Sequence, residues 1–243
     1  MHLSMYRNLL ILDKDKRILN NCVIPPPHES MGENINLLLG ALKEKSLLLK
    51  HFIEGTSKSL ERFNHDELRY MLYPWGPSER KDLPAFKFLH SLKGAAVCEA
   101  EIVRGIAKGL QLTAPKIAGA TADIDTNIAA KTAATLKLLE ENDFVLTHFN
   151  GADEAAHRYD YQGKADFISA IDKEFLEPII NNVREPLRII ICGDHVTSSV
   201  NGKHNKHAVP VVAAQINTAT IPVKINNYQD ILKFLMRASD MRG

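Results

Sequence analysis

Two short segments concentrate the side chains that could do chemistry. GADEAAH, from Gly151 to His157, sets Asp153 and His157 four residues apart, so a helical turn there would place both on one face. GDHVTSSVNGKHNKHAV carries Asp194 and His195 side by side, then His204 and His207. Carboxylate oxygens and imidazole nitrogens together suit zinc, manganese or another borderline divalent ion, each neutral imidazole offering one ring nitrogen; calcium fits less well. A plainer reading is open for every one of these groups. Asp153 could cap a helix, the Asp194-His195 pair could close a turn, and His204 and His207 could be solvated loop residues. Their convergence at successive strand ends is what favours the metal.

Those strand ends come from the elements on either side. DFVLTHFN (143–150) and LRIIICG (187–193) read as buried strands, each running directly into one of the two segments. Around them strands and helices alternate: GAAVCEA (94–100) strand, EIVRGIAKGL (101–110) helix, APKIAG (114–119) short strand, 125–142 helix, 164–183 long helix, AVPVVAA (208–214) strand and DILKFLMRA (230–238) helix. This order predicts an α/β fold, a mostly parallel sheet sandwiched by helices, with ligands bound outside the carboxyl ends of the strands. Nearer the N-terminus, Tyr6 to Leu12 reads as a strand, Asn34 to about Phe63 as a helix, and DELRYML as a second helix. The Pro- and Gly-rich stretch YPWGPSERKDLP then marks a boundary, dividing the chain into residues 1–82 and 83–243.

Composition narrows the function classes. Thirty basic against twenty-nine acidic residues give a net charge of +1, so no global field points to nucleic acid or to an anionic membrane, and any anionic ligand must be held locally. Cys22, Cys98 and Cys192 are odd in number and set in apolar contexts, which suits buried thiols in a reducing compartment. The N-terminal MHLSMYRNLLIL is neither a signal h-region nor a membrane span, and the protein is expected in the cytoplasm. Arg7 and Lys81 are candidate phosphate contacts, a fork and a point charge, and His28 in PPPHES is a candidate substrate-facing residue.

GADEAAH, GDHVTSS and KHNKHAVPVV together resemble the C-terminal metal-binding signature of the cofactor-independent phosphoglycerate mutases of the alkaline phosphatase superfamily. The likeness is to the archaeal type, with its D-E-A-G-H element, its D-H-x-T, and a histidine shortly before a P-V-P strand. YRNLLIL, PPPHESMG, LYPWG, LPAFK and KGAAVCEAEIVRGIAKGLQLTAPKIAGATADIDTN extend it over nearly the whole chain. The resemblance implies an alkaline phosphatase-like fold with part of an inserted substrate-binding α/β domain in residues 1–82. It implies a glycolytic isomerase that moves phosphate between the 2- and 3-positions of glycerate through a phosphoserine. Two divalent ions, manganese or zinc, would be held, the first by Asp153, His157 and His204, the second by Asp194 and His195 with an aspartate and the nucleophilic serine.

Here the chain departs from the pattern. In the family, a strand bearing that aspartate, and then the serine, precede the segment that YRNLLIL resembles, and no residue of this sequence matches either. Ser30, Ser198 and Ser199 lie near candidate elements, but hydroxyls there fit turns better. Ala156 stands where glycine is common, and His207 where an aspartate often precedes the P-V-P strand. The expectation is therefore the C-terminal part of a mutase, with one tight metal site and one incomplete one. Strand edges exposed near IIICG or FVLTHF would pair in a homodimer or with a complementing N-terminal chain. The alternative is a non-catalytic binding or regulatory subunit that keeps the fold and at most one metal.

Overall fold

The computed structural model describes residues 2–4, 7–12, 24–27, 30, 32–219 and 222–236. The chain divides into two compact units, Met1–Lys81 and Asp82–Gly243. In the first, β1 (His2–Ser4) pairs antiparallel with β2 (Arg7–Asn8). Of the strand expected over Tyr6 to Leu12, Arg7 and Asn8 form β2; Tyr6 lies outside the described residues.

The apolar periodicity of residues 34–63 becomes two helices, α1 (Ile35–Lys45) and α2 (Leu47–Leu60), followed by a 3-10 turn. Ser46 makes the break. Its backbone is extended, its N–H donates to the Leu42 carbonyl, and its hydroxyl accepts from the Leu49 N–H at 3.3 Å, so one residue ends α1 and caps α2. Leu39, Leu42, Leu49 and Ile53 then close on Ile24 as a small core. The helix expected at DELRYML does not form: Asp66 takes a φ of 48°, and a His65–Leu68 bridge turns the chain instead.

The second unit is α/β. After α3 (Phe86–His90) come β3 (Gly94–Val97), α4 (Glu101–Gly109), α5 (Ile128–Glu141) and β4 (Phe144–Thr147). β3 is buried along its length, as a strand covered on both faces must be, and pairs parallel with β4 from Gly94↔Phe144 to Val97↔Thr147. The short strand expected at 114–119 reduces to one bridge from Thr113 to Ala95, since Pro115 has no N–H to extend it. α5 starts at Ile128 because the Asn127 side chain accepts from the Ala130 N–H at 2.8 Å.

Beyond β4 lie α6 (Gly151–His157), α7 (Tyr161–Ile171), a π-helical turn (Asp172–Leu176) and α8 (Glu177–Asn182). Pro178 cannot donate back to Glu174, and the Thr132 hydroxyl fills that carbonyl at 2.8 Å, which lets the long helix continue through the bulge. β5 (Leu187–Cys192) pairs with β8 (Val211–Ile216) over six residues; this pair is antiparallel, and among the described strands the parallel ladder is that of β3 and β4. β6 (Val196–Thr197) and β7 (His204–Asn205) form a small hairpin between them, and α9 (Tyr228–Leu235) closes the unit. Among the described residues, β4 and β5 each have one partner strand, with Leu146 and Ile191 partly exposed. Cys98 is buried and its pKa raised by that burial, whereas Cys192, expected inside, is exposed at the end of β5; Cys22 lies outside the described residues. No described helix is long and apolar enough to cross a membrane.

Lys131 of α5 is 1% exposed, its amine donating to the His148 carbonyl and lying 4.3 Å from the centre of the Phe149 ring. Burial pulls its pKa from 10.5 down to about 8, with Glu99 and Cys98 pulling the other way. The folded chain then binds fewer protons than the unfolded one between those values, so stability should rise as pH climbs through this window. Comparing urea unfolding of the wild type with Lys131→Met isolates the effect. The wild type should gain about 2 kcal/mol on the variant between about pH 7.5 and pH 10, after allowing for relaxation around the amine; a pH-independent difference would refute the burial argument.

Candidate metal centre

β4 delivers the chain to α6. The His148 N–H bonds the Val97 carbonyl at 2.9 Å, carrying the parallel ladder one residue past the strand. Asn150 then donates to the Ala122 carbonyl at 3.2 Å and to Glu154 at 3.1 Å, fixing the turn into the helix. Ala155 and Ala156 bury one face of α6, while Asp153 and His157 are half-buried on another. The helix end is held by Arg158, whose guanidinium meets both Asp123 oxygens at 2.6 and 2.7 Å. That hydrogen-bonded pair lowers the Asp123 pKa and raises that of Arg158.

The other candidate ligands arrive from β5 and the β6–β7 hairpin. Tyr228 donates its hydroxyl to the Gly193 and Asp194 carbonyls, at 3.0 and 2.8 Å, and Lys164 donates to the Thr197 carbonyl at 2.8 Å. In the hairpin, Gly202 has a φ of +63°, and a Cβ on it would lie 3.0 Å from the His157 carbonyl oxygen. The turn therefore needs glycine. Its geometry sets the register Thr197↔His204 and brings the Gly202 carbonyl to His157 Nδ1 at 2.7 Å.

This last contact decides the His157 tautomer. A carbonyl only accepts, so Nδ1 carries the proton and, in the neutral ring, Nε2 carries the lone pair. His157 Nε2 lies 3.2 Å from His204 Nε2 and 3.4 Å from Asp153 Oδ2. Asp153 Oδ1 is 3.8 Å from His204 Nε2 and 4.0 Å from His195 Nδ1. Asp153, His195 and His204 can each offer a ligand atom within 4.8 Å of the others. A carboxylate among three imidazoles, one already locked with Nε2 inward by a backbone carbonyl, is a donor set that suits a divalent metal ion.

Of the five residues expected to form two sets of ligands, the structure also brings His195, a member of the second set, up to the first. His195 stands with Asp153 and His204, its ring centroid 3.9 Å from that of His204. The Asp194 side chain is 80% exposed on the outer side of His195, its Oδ2 3.5 Å from His195 Nε2. His207 is exposed, its backbone N–H tied to Asn205 at 3.0 Å. Ser30 donates to the Pro26 carbonyl and Ser198 accepts from the Val200 N–H, both local turn contacts. Lys81 is exposed, Arg7 is on β2, and His28 lies outside the described residues.

Sequence reasoning passed over Thr197, Lys164, Tyr228 and His148. His148 directly follows β4; burial, and then Lys131, lower its pKa, and its Nδ1 is buried with no hydrogen-bond partner. A histidine inside the strand-like DFVLTHFN was the available signal for it, as the third position of D-H-x-T was for Thr197.

Comparison with known proteins places these features. A family model described as the metalloenzyme superfamily matches residues 5–232. A 2,3-bisphosphoglycerate-independent phosphoglycerate mutase of Methanothrix thermoacetophila is 28% identical over 220 residues, covering 86% of this chain and 55% of the relative. The enzyme of the same name from Saccharolobus solfataricus is 37% identical over 138 residues, covering 56% of this chain and 33% of its own length. The chain thus spans from about a third to about half of the curated relatives it matches. Among solved structures, the PH0037 protein from Pyrococcus horikoshii aligns with a TM-score of 0.53 and 27% identity over 68% of this chain and 47% of that one.

Proposed function

The chain belongs to the metalloenzyme superfamily, and from that premise we propose that it provides the divalent-metal half of a phosphoglycerate mutase-type phosphoryl-transfer centre. The observation that carries this reading is the convergence of Asp153, His157, His195 and His204 beyond the carboxyl ends of β4 and β5. In it, Asp153, His157 and His204 hold one manganese or zinc ion. Asp194 and His195 contribute to a second, more exposed position. Such ions neutralise phosphoryl oxygens and lower the pKa of a hydroxyl bound beside them.

The residues of this chain orient the reaction. α6 presents Asp153, the hairpin presents His204, and the Gly202 carbonyl holds the His157 ring with Nε2 toward the carboxylate. The substrate is phosphoglycerate, interconverted between its 2- and 3-forms through a phosphoserine, and the name of the relatives supports this choice. Arg7, His28 and Lys81 are the proposed phosphate contacts, in residues 1–82 read as part of a substrate-binding domain. The serine comes from a complementing N-terminal chain that pairs with β4 or β5, in the cytoplasm; two copies pairing through the same strands would form a homodimer without supplying it.

Metal analysis and ligand binding test the proposal together. After dialysis the purified chain should retain one manganese or zinc ion. 3-Phosphoglycerate should perturb the protein's NMR spectrum only when the metal is present. Failure to retain any divalent ion, or equal binding of phosphoglycerate by the metal-stripped chain, would overturn it.

A further inference from the structure

Thr197 is 4% exposed in the middle of the cluster, on β6 and directly across the hairpin from His204. Its hydroxyl touches Asp153 Oδ1 and His195 Nδ1, the latter at 3.1 Å. A hydroxyl has one proton to give and lone pairs to accept with. The carboxylate of Asp153 has no proton to give, so Thr197 donates to it. The threonine proton is then committed, and the contact with His195 works only if the ring N–H donates to the hydroxyl oxygen.

Two consequences follow for the ligands. The neutral His195 ring carries its proton on Nδ1 and its lone pair on Nε2, the atom 3.5 Å from Asp194 Oδ2. Two acceptors facing each other at that distance are stabilised by a cation. Asp153, meanwhile, is held by Oδ1, which leaves Oδ2 turned toward His157 Nε2 at 3.4 Å. The hydroxyl is itself fixed, since Lys164 grips the Thr197 carbonyl at 2.8 Å and β7 pairs with its backbone.

We propose that Thr197 is a positioning residue that links Asp153 to His195 and sets which atom of each faces the bound cation. It touches no substrate; it acts through the two ligands. Its effect on cation binding rests on the metal reading above, whereas the proton assignment on His195 rests on the hydrogen bonds alone.

The test uses the full chain, with Thr197→Val, which keeps the shape and loses the hydroxyl, and Thr197→Ser, which keeps the hydroxyl. Nitrogen NMR of the metal-free protein should show His195 protonated on Nδ1 in the wild type and in Thr197→Ser, with the proton shifting to Nε2 in Thr197→Val. Manganese titrated by calorimetry should bind about tenfold to a hundredfold more weakly to Thr197→Val, the usual cost of losing an outer partner, and within about threefold of wild type to Thr197→Ser. Thermal melts check folding. If Thr197→Val does not fold, the wild-type spectrum still decides, because a proton on Nε2 or on both nitrogens overturns the inference. A wild type that takes up no manganese overturns the metal reading but leaves the Nδ1 assignment to be read. Manganese bound equally by wild type and Thr197→Val, with an unchanged tautomer, overturns the role of Thr197 and leaves the metal reading standing.

Discussion

Asp153→Asn is expected to weaken manganese binding by more than about a hundredfold, beyond what loss of an outer-shell partner costs. Asp153 is the carboxylate at the centre of the cluster. One oxygen faces His204 and His195 at 3.8 and 4.0 Å, the other His157 at 3.4 Å, and the side chain is 27% exposed. Asparagine keeps the shape but removes the charge that balances the cation, and its NH2 group cannot bind metal. Asp194→Asn is the matched comparison. Its carboxylate is 80% exposed at the periphery, so its loss should cost only about tenfold, on the scale of a supporting group. Calorimetric titration of manganese into both variants reads the difference directly. Equal losses would show that Asp153 is not the central ligand, and Asp153→Asn with full metal content would refute the assigned centre.

The pairing of Asp153 with His157 was legible because spacing within a helix carries its own geometry, and FVLT and LRIIIC because an apolar run bounded by polar residues has few other uses. The choice of His204 over His207 came from the family resemblance and not from spacing. Both stand in the same Asn- and Lys-rich loop, and only the register Thr197↔His204, set by a glycine at positive φ, turns one toward Asp153 and leaves the other outside. The break at Ser46 was hidden for a similar reason, since a serine within an apolar periodicity is tolerated or becomes a cap depending on what the next helix packs against. The antiparallel course of β8 was equally invisible: AVPVVAA has the same apolar pattern in either direction, and direction is decided by the connection through β6 and β7. The double role of the Thr197 hydroxyl depends on residues 44 positions apart meeting, which no local pattern records.

Gly151→Ala should destabilise the protein by about 2–3 kcal/mol, although alanine favours helix over glycine. Gly151 opens α6 and is buried, and a Cβ there would fall 2.8 Å from the Ile124 backbone nitrogen and 2.8 Å from two Phe167 ring carbons. A ring can rotate; the backbone of Ile124 cannot yield alone. Its loop is tied to α6 twice, by the Asn150 bond to the Ala122 carbonyl and by the Arg158–Asp123 pair, so relief requires loop and helix to separate. The same movement would carry Asp153 and His157 away from His204, and bound manganese should therefore raise the melting temperature of Gly151→Ala less than that of the wild type. Gly105→Ala supplies the control. Gly105 lies exposed on α4, and a Cβ added to it would meet nothing within 4 Å, so there the helix preference acts unopposed, with a gain of about 0.5–1 kcal/mol. Urea unfolding of the two variants should give changes of opposite sign, and a Gly151→Ala as stable as Gly105→Ala would mean that the close packing of α6 against the 119–127 loop does not hold Asp153 and His157 in place.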